Sequence, residues 1–254
     1  QQLPHLYDEP FADSSQIPTH LLCSQAKKYL TVALSGDGGD ELFGGYNRYF
    51  WVRKVWSKLS WLPNGTRQLF AKAIFSLPVH YWDTVYYMIS CLLPCSSHLS
   101  FVGRKLHNLA ERLVNIKNED ELFFSLVSEW SNPDKVVKGA CEPVTLLTNP
   151  TDWPALPDVE HRMMYLDAMT YLPNDILVKV DRAAMSTSLE TRTPFLDHRL
   201  VELAWQLPLS MKLRNNQGKW ALRQILYKYV PRELIERPKQ GFGVPLGEWL
   251  RGPL

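Results

Sequence analysis

The apolar run "LTVAL" at residues 30–34, followed directly by "SGDGGDELFGGY" at 35–46, limits the fold of this chain more than any other feature. A continuously apolar, β-favouring run reads as a buried parallel strand, because a strand covered on both faces has no polar alternation. A strand that ends in a glycine-rich turn and feeds a helix sets backbone N–H groups at the carboxyl edge of a sheet, where anions bind. Glycines allow close approach to phosphate, yet Asp37, Asp40 and Glu41 in the same turn repel it unless a divalent cation lies between. The acids therefore point to magnesium and nucleotide together. The alternative is that Asp37 and Asp40 cap the helix that follows. The pattern is neither a Walker loop nor G-x-G-x-x-G.

Around this motif the periodicity predicts a helix over 18–30, with Pro18 in its first turn, and then the strand near 31–35. Helix, strand and glycine turn in that order indicate an α/β layer. Beyond Tyr46, "RYFWVRKVWSKLSWL", "TRQLFAKAIFSL", "ELFFSLVSEW" and "RMMYLDAMTYL" all show helical spacing with aromatic faces, and no second strand is expected. Pro-rich breaks at "LPNGT", "LLPCSSH" and "NPTDWPALPDV" separate the helices, the last reading as an exposed loop at about 148–159. The expected fold class is α/β, mainly helical, with one clear parallel strand; residues 1–50 belong to the α/β layer and 51–254 to the helical part.

Twenty-eight Lys and Arg stand against 26 Asp and Glu, so no overall field draws the chain to nucleic acid or membrane, and neither is expected as a partner. Cys23, Cys91, Cys95 and Cys141 lack zinc-ligand spacing and are expected to be reduced thiols in a cytoplasmic protein. There is no run of 18 apolar residues and no secretory leader pattern. The chain starts without methionine and stops as the pattern Leu246, Trp249, Leu250 begins, so an interior piece of a longer protein is expected.

Three separated motifs, "LSGDGGDELFGGY", "YLPNDILVKVDRAAMSTSLETRTPFLDHRL" at 171–200 and "NNQGKWALRQIL" at 215–226, together resemble the synthetase domain of glutamine-dependent asparagine synthetases. The resemblance covers nearly the whole chain and is least diagnostic between about 50 and 160. It implies part of an adenine-nucleotide α-hydrolase-like (PP-loop) domain; the family's S-G-G-x-D-S loop and N-terminal glutaminase domain have no counterpart in these 254 residues. The implied reaction activates the side-chain carboxylate of aspartate with ATP and Mg2+, releases pyrophosphate, and lets ammonia from glutamine displace AMP. This piece alone is expected not to turn over ATP, and the resemblance leaves a homodimer of the full-length protein open.

By the same resemblance Ser35 and Gly36 contact the nucleotide and Asp40 helps hold magnesium. Asp37, where better-known members often carry Glu, lies near the reacting centre, Tyr46 closes the pocket, and Lys219 stabilises pyrophosphate and the transition state. For Tyr46, core packing is an equal alternative. Further along, Ile176, Leu177, Val180 and Ala184 predict a buried helix, in which Lys179, Asp181 and Arg182 read as intra-helical ion pairs or a wall of the nucleotide site. Glu190, Arg192, Asp197 and Arg199 read as a buried or semi-buried salt network, and Pro194 as an extended entry to the next helix. The stretch "ERPKQGFGVP", with Lys239, Gly241, Phe242 and Gly243, reads either as a cover for an active site or as a surface turn. One departure bears on the substrate: Asp13 falls where the family's better-known form carries an arginine implied to hold aspartate. An acid there cannot pair with a carboxylate, which keeps open an acceptor other than aspartate, such as a sugar acid or peptide. A non-catalytic nucleotide-binding fragment is the third alternative.

Overall fold

In a computed structural model that describes residues 3–7, 9–90, 102–128, 130, 133–236 and 244–252, the expected strand is β1, Val32–Leu34. A second strand, β2 (Glu190–Arg192), runs parallel to it, with Val32 opposite Glu190, Ala33 opposite Thr191 and Leu34 opposite Arg192. The ladder extends at both ends: the Glu190 N–H donates to the Thr31 carbonyl at 3.0 Å and the Ser35 N–H to the Arg192 carbonyl at 2.8 Å. The expectation of no second strand is thus corrected. "ETR" is too short for a period-two signal and carries charge at both ends, so nothing local marks it as a strand. The expected burial of β1 is corrected as well, since Leu34 is 75% exposed and only Ala33 packs against the small core of Cys23, Ala184 and Leu189.

Two compact units make up the chain, Gln1–Asn47 with Val144–Leu254, and Arg48–Pro143. In the first, the helix preceding β1 is Gln16–Ala26, two residues earlier than expected at its start. Its entry is fixed by Asp13, whose carboxylate accepts from the Ser15 N–H at 2.8 Å and the Ser15 hydroxyl at 2.6 Å. This helix packs on Leu177–Met185. That element ends one continuous helical run from Val159, whose middle, Asp167–Ile176, is π-helical and contains Pro173. Proline lacks an N–H and its ring crowds the carbonyl four residues back, and the wider π turn relieves that clash where an α turn would kink. A second core joins Leu42, Phe43 and Ala204 with Phe195, Val201 and Leu222 around them.

The other unit contains helices and no strand among its described residues. Arg48–Leu59 packs on Glu119–Val127, while Asn64–Phe75 and Val79–Ser90 pack on Val102–Asn115. Its buried cation is satisfied: Arg67 donates from Nε to the Leu62 carbonyl at 2.9 Å and from Nη1 to the Ile116 carbonyl at 3.0 Å, and lies 5.4 Å from the Trp56 ring centre. Among the described residues no helix is long and apolar enough to cross a membrane, and Cys23 and Cys141 are unbridged. Cys91, Cys95 and the stretch from Arg237 to Gly243 lie outside the described residues.

Lys212 in the first unit is the opposite of Arg67. It is fully buried, its Nζ has no hydrogen-bond partner among the described residues, and its compensation is the face of Trp205, 4.8 Å away. Burial lowers its pKa to about 8. The unfolded chain keeps that proton up to about pH 10.4. Between these values the unfolded state binds more protons, so stability rises with pH through this window and is flat below it. Urea unfolding at pH 7 and pH 9.5 is expected to show the higher midpoint at pH 9.5. Lys212→Met, which keeps the stem and removes the amine, is expected to stabilise at pH 7 by about 1–3 kcal/mol and to abolish that rise.

Candidate active site

At the carboxyl end of β1 the turn packs before it presents anything. Gly38 has a left-handed φ of 85°, and a Cβ there would lie 2.6 Å from Leu196 Cδ2. Gly39 faces the Phe195 ring, and Gly44, also at positive φ, faces Leu213. The space that these glycines leave is taken up by protein side chains. Gly36 is the exception in the first half of the turn, with open space where a Cβ would stand. Beside it the Ser35 hydroxyl donates to the Asp37 carboxylate.

The turn leads into a single helical turn, Gly39–Phe43, with Asp40 and Glu41 at its start. Successive residues on a helix point apart, and these two acids meet opposite fates. Glu41 is buried, accepts a 2.6 Å hydrogen bond from the Tyr46 hydroxyl, and has its pKa raised chiefly by burial. The Asp40 and Asp167 carboxylates raise it further. Asp40 points the other way, with 28% of its side chain exposed, and meets Lys219 Nζ at 3.2 Å.

That meeting is built by backbone. The Lys219 N–H donates to the Phe43 carbonyl at 2.9 Å, and a Cβ on Gly218 would overlap the Gly44 carbonyl. A Cβ on Gly45 would overlap the Asp40 carboxylate and the Lys219 stem. Lys219 itself holds a left-handed φ of 56° as it caps Trp220–Leu226, in a turn where Asn215 and Asn216 also have positive φ. Asparagine tolerates that region and lysine does not prefer it, so the docking over-determines the lysine's conformation. The turn is closed on its far side by Gln217 and Tyr227, which both donate to Glu236 Oε1, at 3.1 and 2.6 Å.

Of the residues singled out from sequence, Ser35, Gly36 and Asp37 therefore sit together at the strand end, and Asp40 and Lys219 form one ion pair. Tyr46 is held between Glu41 and the edge of Tyr171, 5.9 Å between ring centres, and burial followed by the Glu41 carboxylate raises its pKa, so its phenol stays protonated. Sequence reasoning missed Tyr171, Asp175 and Asp167, which the π-helical segment delivers to this corner. Tyr171 hydrogen-bonds Asp175, whose pKa burial raises. The unused signal was Pro173 inside an otherwise helical pattern.

Two expectations about charge are corrected. Lys179 does not pair within its own helix but with Asp13, at 2.8 Å across to the segment that leads into the Gln16–Ala26 helix. The Lys179 bond lowers the Asp13 pKa against the opposing effect of burial. The expected buried salt network at Glu190–Arg199 is two separate exposed pairs, Glu190–Arg192 at 2.6 Å and Asp197–Arg199 at 2.8 Å. Each joins residues two apart in sequence, so each closes locally and reaches no further. The Asp197 carboxylate also caps His198–Gln206, accepting the Arg199 N–H.

A strand end with an open Gly36, a serine hydroxyl, and a half-exposed carboxylate beside a half-exposed ammonium suits a phosphate-bearing ligand and its counter-ion. Among the described residues no three His, Cys, Asp or Glu side chains gather as a metal cage. Magnesium fits such a place, since it commonly takes one or two carboxylates and completes its shell with phosphate and water. The asparagine synthase family model matches residues 1–254. The chain belongs to the asparagine synthase family.

Among its relatives is a glutamine-hydrolysing asparagine synthetase of Bacillus subtilis, 30% identical over 249 residues, which are 98% of this chain and 36% of that protein. A provisionally named glutamine-hydrolysing asparagine synthetase of Mycobacterium tuberculosis is 34% identical over 247 residues, 96% of this chain and 34% of the other. An amidase of Gibberella zeae is 25% identical over 240 residues, 89% of this chain and 34% of its own length. The chain thus spans about a third of the curated relatives it matches. No solved structure matches it.

Because the atom blocking a Cβ at Gly218 is a backbone carbonyl, it cannot yield as a side chain would. Gly218→Ala is expected to destabilise the protein by about 1–3 kcal/mol, the range for overpacking. The Lys219 turn is expected to become more sensitive to limited proteolysis than the rest of the chain.

Proposed function

We propose that the chain is the ATP-using part of an asparagine synthase, which activates a carboxylate as an acyl-adenylate and lets ammonia displace AMP. The observation that carries this reading is the Asp40–Lys219 pair, two charges from motifs far apart in sequence, formed four residues on from the open Gly36 at the end of β1. In this reading the α/β layer is part of a PP-loop domain, the protein works in the cytoplasm, and the ammonia comes from a glutaminase domain of the longer protein.

The chemistry follows from charge. A carboxylate oxygen of the acceptor attacks the α-phosphorus of ATP, the bond to the β-phosphate oxygen breaks, and negative charge accumulates on departing pyrophosphate. Lys219, held rigid by its turn, neutralises part of that charge without reorganising. Asp40 would hold magnesium, which supplies further charge neutralisation on the phosphates when bound. Ser35 and Gly36 line the nucleotide, Gly36 by letting the backbone come close. When ammonia then attacks the acyl carbon and AMP leaves, the nitrogen must lose a proton, and Asp37 is the carboxylate assigned to receive or orient it. The Asp37 carboxylate accepts from Ser35, which fixes its position. Tyr46, its hydroxyl engaged by Glu41, acts as a wall and holds the Glu41 side of the helical turn.

A second reading concerns the acceptor. Asp13 is committed to Lys179 and Ser15. It offers no cation to the α-carboxylate of aspartate, and this favours an acceptor whose second charge is absent or lies elsewhere. Mass spectrometry of products formed with ATP, glutamine and aspartate separates the two: asparagine supports aspartate as acceptor, and AMP formation that requires a different acid supports the alternative.

In the full-length protein, Asp40→Asn is expected to lower magnesium-dependent ATP–pyrophosphate exchange by about 10²–10³-fold, the scale of losing one transition-state electrostatic partner. Lys219→Met is expected to fall as far, with thermal midpoints close to the parent. Exchange at the parent rate in Asp40→Asn removes the metal assignment.

A further inference from the structure

Three of the four non-glycine residues that hold a left-handed φ among the described residues stand close together: Asn215 at 52°, Asn216 at 57° and Lys219 at 56°. Asn215 and Asn216 form the centre of a tight hairpin. The Arg214 N–H donates to the Gln217 carbonyl at 3.0 Å, and the Gln217 N–H returns to the Arg214 carbonyl at 2.8 Å. Positive φ at both central residues is the type I′ turn, which asparagine tolerates. Lysine has no such preference, so a left-handed Lys219 must be held from outside its own turn. The Phe43 carbonyl holds it on one side by accepting the Lys219 N–H.

A second anchor comes from the short helix Arg232–Ile235 and Glu236 at its end. The Glu236 N–H donates to the Arg232 carbonyl at 2.8 Å, which fixes the point from which its side chain leaves. Glu236 Oε1 then accepts from Gln217 Nε2 at 3.1 Å and from the Tyr227 hydroxyl at 2.6 Å. Tyr227 caps the C-terminal end of Trp220–Leu226, the helix that Lys219 begins. One carboxylate oxygen therefore ties the residue two before the lysine to the far end of the helix after it. Arg232 covers the same tyrosine, 4.5 Å from its ring centre, and Arg223 Nε donates to the Gly218 carbonyl at 3.1 Å. The Tyr227 bond, followed by the Gln217 bond, lowers the Glu236 pKa, so the carboxylate stays ionised at neutral pH.

We propose that Glu236 is a positioning residue for the reaction: by holding Gln217 and Tyr227 on one oxygen, it keeps the Lys219 turn in the conformation that sets the ammonium beside Asp40. It acts through the turn and takes no part in bond making. An exposed carboxylate contributes little to global stability, because water competes for its hydrogen bonds. Reaction rate is more demanding than stability, since a small misplacement of a charge-bearing group weakens it where charge develops. Glu236 thus matters for where Lys219 stands and not for whether the chain folds. The inference rests on the reading of Lys219 as the cation that neutralises departing pyrophosphate.

The test uses the full-length protein and reads two quantities for each variant, ATP–pyrophosphate exchange and amide hydrogen exchange over residues 214–219. Glu236→Ala is expected to lower kcat about 10-fold while KM for ATP stays within about twofold of the parent, because a misplaced lysine loses transition-state stabilisation more than ground-state binding. The amides of 214–219 are expected to exchange about 3–10-fold faster, the scale of one or two net hydrogen bonds, with protection elsewhere unchanged. Glu236→Gln, whose amide oxygen still accepts both bonds, is expected to recover at least about half of the parent kcat. Adding Tyr227→Phe to Glu236→Ala is expected to lower kcat no further, since both act through one contact. Glu233→Ala, exposed on the same helical turn, is expected to match the parent in both readouts, and thermal midpoints close to the parent verify folding throughout. Parent-like kcat in Glu236→Ala, a slower rate without faster amide exchange at 214–219, a rise in KM alone, or no recovery in Glu236→Gln overturns the proposal. Lys219→Met separates this inference from the reading beneath it. If Lys219→Met runs at the parent rate, the role given to Lys219 falls and this one with it; if Lys219→Met is slow while Glu236→Ala is not, this one falls alone.

Discussion

Everything at the site depends on one place where two backbones touch. The Lys219 N–H reaches the Phe43 carbonyl, and the Gly218 Cα lies so close to the Gly44 carbonyl that no side chain fits between them. That contact joins a turn near the end of the chain to the helical turn after β1. It is also what sets an ammonium beside Asp40. A long lysine on a free loop would sample many positions, each at an entropic cost to gather; here the stem starts from a fixed, left-handed backbone. The Gln217, Tyr227 and Glu236 contacts hold the same turn from behind, so the pairing is reinforced from two sides.

The acids of the helical turn show how position decides chemistry. Asp40 and Glu41 are neighbours with the same charge, yet one is half exposed beside a cation and the other is buried against a phenol. Burial makes ionisation of Glu41 unfavourable, and the Tyr46 hydrogen bond only partly offsets it. Asp40 keeps access to solvent and to whatever enters the site. The π-helical run completes the arrangement by carrying Tyr171 to the edge of Tyr46, a placement that an α-helix interrupted by Pro173 would not achieve.

Much of this was legible in local pattern. The strand at 32–34, the turn after it and the helix before it follow from an apolar run, glycines and a 3.6-residue period, all properties of neighbouring residues. Other parts were not legible for an equally physical reason. β2 is three residues of Glu, Thr and Arg, whose strand character exists only because β1 lies alongside. Lys179 sits at a spacing that allows partners on its own helix, but its partner is Asp13, and no local rule ranks a distant acid above a near one. The Glu190 and Asp197 pairs, conversely, close within two residues and form no network.

By itself, the sequence determined that a glycine-rich, acidic turn follows a strand and that a lysine stands in an asparagine-glycine turn far downstream. Those are facts of composition and order. Only the tertiary structure decided what the glycines are for: most admit Leu196, Phe195, Leu213 and the Lys219 turn, and Gly36 alone in that turn faces open space. It also decided that Asp40, rather than Glu41, meets the lysine. The reason is the same in each case. A residue type fixes what a group can do, while burial and contact between segments distant in sequence fix which of those things it does.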